Sequence, residues 1–209
     1  MPFSTQVAAG ASLDRLEKLM ALRLAPGADK DAIDRRIWDM FGEEWAVMVT
    51  DLSGFSRKVA EFGIIHFLQI ILESERLFIP CIDRHDSILL KRDGDSMLII
   101  FRNVSKAISC VVEMQQIAKI YNTDKDDAEK ILLCVGLGFG PMLHIGDHDV
   151  FGAEVNAASN LGEDMAKAWE ILVTESVKDS AMHLPEITFE PVTTAPPGAK
   201  AAYRLKYKL

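Results

Sequence analysis

The order of the patterned segments predicts an α+β fold, a ferredoxin-like antiparallel sheet covered by helices: strand, helix, two strands, helix, strand. Two observations carry this. Short Val- and Ile-rich runs, WAVMVTD at 45–51, ILL and MLIIF at 88–90 and 97–101, and ILLCVGLGFG at 131–140, read as buried strands. Between them, 56–83 and 104–121 repeat apolar residues at helical spacing.

Ahead of the sheet, Leu13, Leu16 and Met20 follow Ser12, which reads as an N-cap, and this helix stops at Pro26-Gly27. A second helix over 29–41 carries Ile33, Ile37 and Phe41, with Gly42 as its C-terminal cap. Residues 1–43 therefore form a short helical N-terminal leader, and 44–209 form the main domain. The leader's apolar stripes are expected to cover the domain's core or to help a dimer. The first strand ends at Asp51 and a Gly-containing turn, and Pro80 is expected to break or kink the end of the helix that follows.

The segment ILLKRDGDSMLIIF, 88–101, reads as a hairpin with Asp93-Gly94 as its two-residue turn and a charged tip. After the helix at 104–121 and the strand at 131–140, a turn at 146–148 leads to a helix over 152–169. EILVTES, ITFEPV and AAYRLKYKL supply three further strands that elaborate the C-terminal side.

A chain of 209 residues, 49% hydrophobic and 26% charged, is long enough for one substantial core. Its formal charge of -8 and lack of a long Lys/Arg block leave no electrostatic footprint for nucleic acid or an anionic membrane. The three cysteines, Cys81, Cys110 and Cys134, lie in apolar stretches and read as reduced core residues of a cytoplasmic protein. No apolar run approaches the roughly 20 residues that span a bilayer, and MPFSTQVAAG lacks the pattern of an export signal.

Asp51 ends a buried strand, and Asp95 sits beside the hairpin tip. Singly, each fits a turn residue accepting backbone hydrogen bonds. In a ferredoxin-like sheet, however, the first strand neighbours the hairpin, which brings both carboxylates to one edge. Two converging hard oxygen donors suit Mg2+ or Mn2+. Gly136, Gly138 and Gly140 alternate along a strand ahead of Pro141, so they do not form a dinucleotide-binding turn and are expected to admit a helix or ligand closely. His144 and His148, in a strand and a turn, lack a zinc-binding spacing. On the helix from Gly152, Asn156, Asn160 and Lys167 share a polar face.

Taken together, VTDLSGFS, KRDGD and DVFGAEVNAAS resemble, in order and spacing, the catalytic domain of class III nucleotidyl cyclases over 45–176, with Phe151 where that family commonly has Trp. The resemblance implies a cyclase-type elaboration of the ferredoxin-like sheet and a twofold homodimer with two sites at its interface. It implies that Asp51 and Asp95 of one subunit hold two Mg2+ or Mn2+ ions per site, with the Leu52 carbonyl as a further ligand. Lys91, Asp149 and Asn156 of the other subunit would hold the nucleotide, and Lys200 loosely matches a phosphate-binding Lys. The implied reaction is cyclisation of ATP to 3',5'-cyclic AMP and pyrophosphate. Adenine's amino donor and ring-nitrogen acceptor suit Asp149 and Lys91, whereas guanine reverses that order; cytosine shares adenine's order on a smaller ring. One position departs from the family. Asn160 stands where a transition-state Arg is expected, which implies slow turnover, a stand-in cation such as Arg92 or Lys167, or a heterodimer partner supplying an Arg. The rival expectation is a catalytically degenerate domain that binds nucleotide or dimerises as a regulatory module.

Overall fold

The computed structural model describes residues 11–54 and 61–207. Phe55 and the start of the helix expected from Ser56 lie outside the described residues, as do 1–10 and the last two residues of the strand expected over 201–209. The elements run α1 (Ser12–Leu24), α2 (Lys30–Phe41), β1 (Gly42–Leu52), α3 (Ile64–Arg84), β2 (Ile88–Asp93), β3 (Ser96–Phe101) and α4 (Val104–Tyr121). They continue as β4 (Leu133–Ile145), β5 (Asp149–Phe151), α5 (Ala153–Ser159), a π-helical segment (Asn160–Met165), β6 (Ile171–Thr174), α6 (Glu175–Ala181), β7 (Thr188–Pro191) and β8 (Ala202–Lys206).

One mixed sheet has the strand order β2-β3-β1-β4-β6-β8-β7, with β5 also paired to β4. Its first four strands pair antiparallel in the expected ferredoxin-like order. The elaboration enters through β6, which runs parallel to β4, and closes with β8 and β7. One sheet face packs Met48, Ile99, Phe101, Val135 and Leu137 against Phe67, Phe78, Val111 and Met114 of α3 and α4. The opposite face packs Val47, Val49, Ile100 and Met142 against Val155 and Ala158 of α5. This alternation follows from the period of two along each strand. Helices α1 and α2 bury Leu19, Ile33, Ile37 and Phe41 against Ile145 and Leu143 at the end of β4. Among the described residues, no helix is long and apolar enough to cross a membrane.

Several local expectations change. Ala11, not Ser12, is the N-cap of α1, because the first helical bond runs from the Arg15 N–H to the Ala11 carbonyl at 3.0 Å. Asp29, expected as the first helical residue, instead caps α2, accepting from the Ala32 N–H at 3.0 Å. Gly42 is the C-terminal cap of α2 as expected, donating its N–H to the Trp38 carbonyl from extended backbone, and a Cβ there would stand 2.5 Å from that oxygen. Helix α3 continues through Pro80 to Arg84, since the buried Phe78, Cys81 and Ile82 hold its last turn in the core. Glu175 opens a short helix where strand was expected.

Candidate active site

The hairpin turn lies one residue later than the sequence suggests. Asp93 pairs with Ser96, so Gly94 and Asp95 are the turn residues, and Gly94 takes the positive φ of 58°. A bulge between Leu89 and Lys91 shifts the register. Lys91 therefore lies opposite Leu98, which lies opposite Val49 of β1, placing all three on the α5 face. Asp51, two residues beyond Val49 in β1, shares that face.

Asp51 and Asp95 meet at this edge. Burial first, and then the charge of Asp95, push the Asp51 carboxyl up to about 7. Burial also raises the Asp95 carboxyl above the ordinary carboxylate range. The Oδ2 atom of Asp95 is buried and, among the described residues, has no hydrogen-bond partner. Two half-buried carboxylates crowded together, one with an orphaned oxygen, form a donor set that a divalent cation would satisfy and neutralise. Leu52 ends β1 next to Asp51. Glu163, on the π segment, adds to the negative field at Asp51, an approach with no local signal in the residues around it.

Across the same face, Lys91 of β2 forms an ion pair with Asp149 of β5, with side chains 46% and 23% exposed. Asp149 also accepts the Val150 N–H at 2.9 Å, which fixes its carboxylate. Asn156 is exposed on α5, and its carbonyl accepts the Asn160 side-chain amide at 2.8 Å. Lys200 is exposed in the loop before β8.

The helix expected over 152–169 is shorter and changes pitch. It is α-helical to Ser159 and π-helical from Asn160 to Met165, with Ala166 N–H donating to the Leu161 carbonyl at 2.8 Å. Lys167 thus lies past its end and does not share a helical face with Asn156 and Asn160. Arg92 follows Lys91 on a strand, so it points to the other sheet face, where it pairs with Glu75 of α3 at 2.8 Å. Within its own protomer it is turned away from Asn160.

The glycines of β4 set how closely α5 approaches. A Cβ on Gly136 would stand 2.0 Å from the Ala158 carbonyl oxygen, and one on Gly138 would stand 2.4 Å from that of Glu154. Gly162 fits equally tightly, with 2.6 Å from its virtual Cβ to the Val49 carbonyl oxygen. Glu154 then locks α5 to the sheet by accepting the Phe139 N–H at 3.0 Å and the Ser176 hydroxyl at 3.1 Å. Sequence reasoning passed over Glu154, whose position in the first turn of the helix opposite the strand glycines was the available signal.

Residues 41–196 match the model of the adenylate and guanylate cyclase catalytic domain. The chain is 27% identical over 145 residues to the serine/threonine-protein kinase pkn2 of Myxococcus xanthus, covering 69% of this chain and 17% of that protein. It is 24% identical over 160 residues to a Rhizobium meliloti (strain 1021) protein provisionally named adenylate cyclase 3, covering 77% of this chain and 26% of the relative. The chain thus spans between a sixth and about a quarter of the length of these relatives. Among solved structures, it superposes on an adenylate/guanylate cyclase/hydrolase from Silicibacter pomeroyi with a TM-score of 0.68 and 24% identity, covering 78% of this chain and 96% of that one. The adenylyl cyclase CyaB of P. aeruginosa gives a TM-score of 0.65 at 15% identity, covering 80% and 96%.

Proposed function

The chain belongs to the adenylate and guanylate cyclase catalytic domain family, and from that premise we propose that it is a metal-dependent adenylate cyclase working as a homodimer. The observation that carries this is the Asp51–Asp95 pair, whose raised carboxyls and orphaned Asp95 Oδ2 call for a cation. Asp51, Asp95 and the Leu52 carbonyl would hold two Mg2+ or Mn2+ ions. When bound, these would neutralise charge on the triphosphate and ease ionisation of the ribose 3'-hydroxyl.

The hydroxyl oxygen attacks the α-phosphorus, the bond to the pyrophosphate oxygen breaks, and the hydroxyl proton is lost to solvent. Lys91 and Asp149 recognise the base: Asp149 accepts from the adenine amino group, and Lys91 donates to the neighbouring ring nitrogen. Their existing ion pair supports this role by holding donor and acceptor side by side before substrate arrives. Asn156, exposed on α5, is placed to orient the ribose and phosphates, and Lys200 is available to the triphosphate from its exposed loop. Helix α3 supports the dimer, because it exposes Ile64, Ile65, Leu68 and Leu72 at 50%, 76%, 52% and 48% on its N-terminal half.

Asn160 favours a second reading. Its neutral amide is already tied to the Asn156 carbonyl, so in an unaided homodimer it supplies no charge to the transition state. Turnover would then be slow, a partner chain would contribute an Arg, or the domain would act as a nucleotide-binding or dimerising regulatory module. The deciding experiment offers ATP, GTP, CTP and UTP separately to the purified protein in Mn2+ or Mg2+, with Asp95→Ala as control. Cyclic AMP that disappears in the control supports the adenylate cyclase. No cyclic product from a folded dimer, even with tight nucleotide binding, supports the regulatory module.

A further inference from the structure

Away from this site, on the opposite face of the sheet, two helices bring a second set of ligating atoms together. Cys81 and His85 stand one turn apart near the C-terminal end of α3, and Cys110 faces them from α4. One ligand atom from each, two thiol sulfurs and a ring nitrogen, all lie within 4.8 Å of one another; among the described residues this is the one such group of three. The Cys81 thiol already points across the helix interface, donating to the Cys110 carbonyl at 3.8 Å.

We propose that Cys81, Cys110 and His85 form a zinc site that braces α3 to α4. Three features favour a metal over core thiols. First, His85 Nε2 lies 2.7 Å from Glu113 Oε2, and a carboxylate there can only accept, so the proton sits on Nε2 and the Nδ1 lone pair is left for a metal. A ligating His held by a carboxylate in this way is the usual second-layer arrangement of zinc proteins. Second, Glu113 is itself fixed by Arg84 through its other oxygen, so its charge is balanced and it acts as a positioning residue. Third, the charges balance. Zinc binding would displace one proton from each thiol, and Zn2+ with two thiolates and a neutral imidazole is electrically neutral, as a buried site requires.

Bonds of about 2.3 Å to sulfur and about 2.0 Å to nitrogen place tetrahedral ligands about 3.5–3.8 Å apart, so these side chains would draw in by about 1 Å. Both cysteines are fully buried, whereas the His85 side chain is 18% exposed, which gives the ion an entrance beside the end of α3. The negative end of the helix dipole lies there. Water, or the Met114 Sδ 3.9 Å from Cys110 Sγ, completes the coordination.

The test uses reduced, chelator-treated full chain in an Asp51→Ala background, so that oxygen-ligated metal does not confuse the count. Co2+ is titrated first as a spectroscopic probe, then displaced by Zn2+ in competition with a chromogenic chelator. The expected result is one ion per chain, with an intense thiolate-to-cobalt charge-transfer band that Zn2+ abolishes. That band is lost in Cys81→Ser and in Cys110→Ser but kept in Cys134→Ser. Glu113→Gln should keep the band and weaken affinity by roughly 10–100-fold. Absence of the band in the folded Asp51→Ala protein overturns the proposal whatever the cysteine variants do. So does a band that survives both Cys81→Ser and Cys110→Ser, or recovery of the two cysteines as a disulfide by mass spectrometry of untreated protein.

Discussion

Replacing Asp51 with Asn should make the metal-free protein more stable, not less. The folded chain holds the Asp51 proton to about pH 7, against an ordinary 3.8. Between those values the native state binds more protons than the unfolded state, so the stability of the wild type falls as pH rises through this window. At about 1.36 kcal/mol per unit the ceiling is ~4 kcal/mol. Because the pair stands at a partly open sheet edge, solvent screening reduces this to ~2 kcal/mol. Asp51→Asn removes the repulsion with Asp95 while keeping the shape. Urea unfolding in EDTA should then show the variant ahead by ~2 kcal/mol at pH 8, with the gap closing as pH falls through the window toward 3.8, below which the wild-type carboxyl is protonated in both states. Saturating Mn2+ should reverse the order, since a ligand at 100 times its Kd adds about 2.7 kcal/mol to the wild type alone. A variant less stable than the wild type at pH 8 in EDTA, or a gap that does not change with pH, would refute the reasoning.

Three other outcomes are expected. Asn160→Arg should raise the cyclisation rate by up to on the order of 10^3; measured kcat on a folded variant that shows no gain would mean another cation already serves the phosphate. Lys91→Ala should lower kcat/KM for ATP roughly 10- to 100-fold, through loss of a charged hydrogen bond, and shrink the preference for ATP over GTP. An unchanged ATP/GTP ratio would remove Lys91 from base recognition. Gly136→Ala should destabilise the fold by about 3 kcal/mol, because its Cβ would overlap the Ala158 carbonyl oxygen at 2.0 Å and backbone must move; an unshifted denaturation midpoint would contradict that contact.

The parts of the fold that were legible in the sequence are those with a local period. Helix α4 matches its expected bounds because Asn103 caps it through the Lys106 N–H and its apolar spacing runs unbroken. The meeting of Asp51 and Asp95 followed from strand order alone. What was hidden depends on contacts distant in sequence. The bulge at Leu90 moves the turn to Gly94-Asp95, and alternation of residue types does not reveal an extra residue in a strand. The π segment is set by Gly162 lying against Val49 and Gly136, so nothing within 152–169 announces it. Arg92 is different, because its direction was readable: adjacent strand residues face opposite ways, so proximity to Lys91 along the chain already argued against a shared site. Cys81 and His85, likewise, show a one-turn spacing in the sequence, but only the packing of α3 on α4 adds Cys110.

The polar groups of the α5 face are unequally satisfied, and this division bears on function. Lys91 and Asp149 neutralise each other, and Glu154 has both oxygens engaged. Asp51 and Asp95 do the opposite: they repel, resist ionisation and, among the described residues, leave Oδ2 of Asp95 unpaired. A sequence shaped only for stability would place Asn or Ser at one of these positions, because the repulsion is avoidable with no change in backbone. The cost is concentrated on the two carboxylates that a divalent cation would bridge, so cation binding at this edge would recover the free energy that folding leaves unused. Metal-linked stability should therefore rise with pH up to about 7, as the protons that compete for Asp51 are lost. A cation affinity that fails to increase between pH 5.5 and pH 7.5 would mean the ion binds elsewhere.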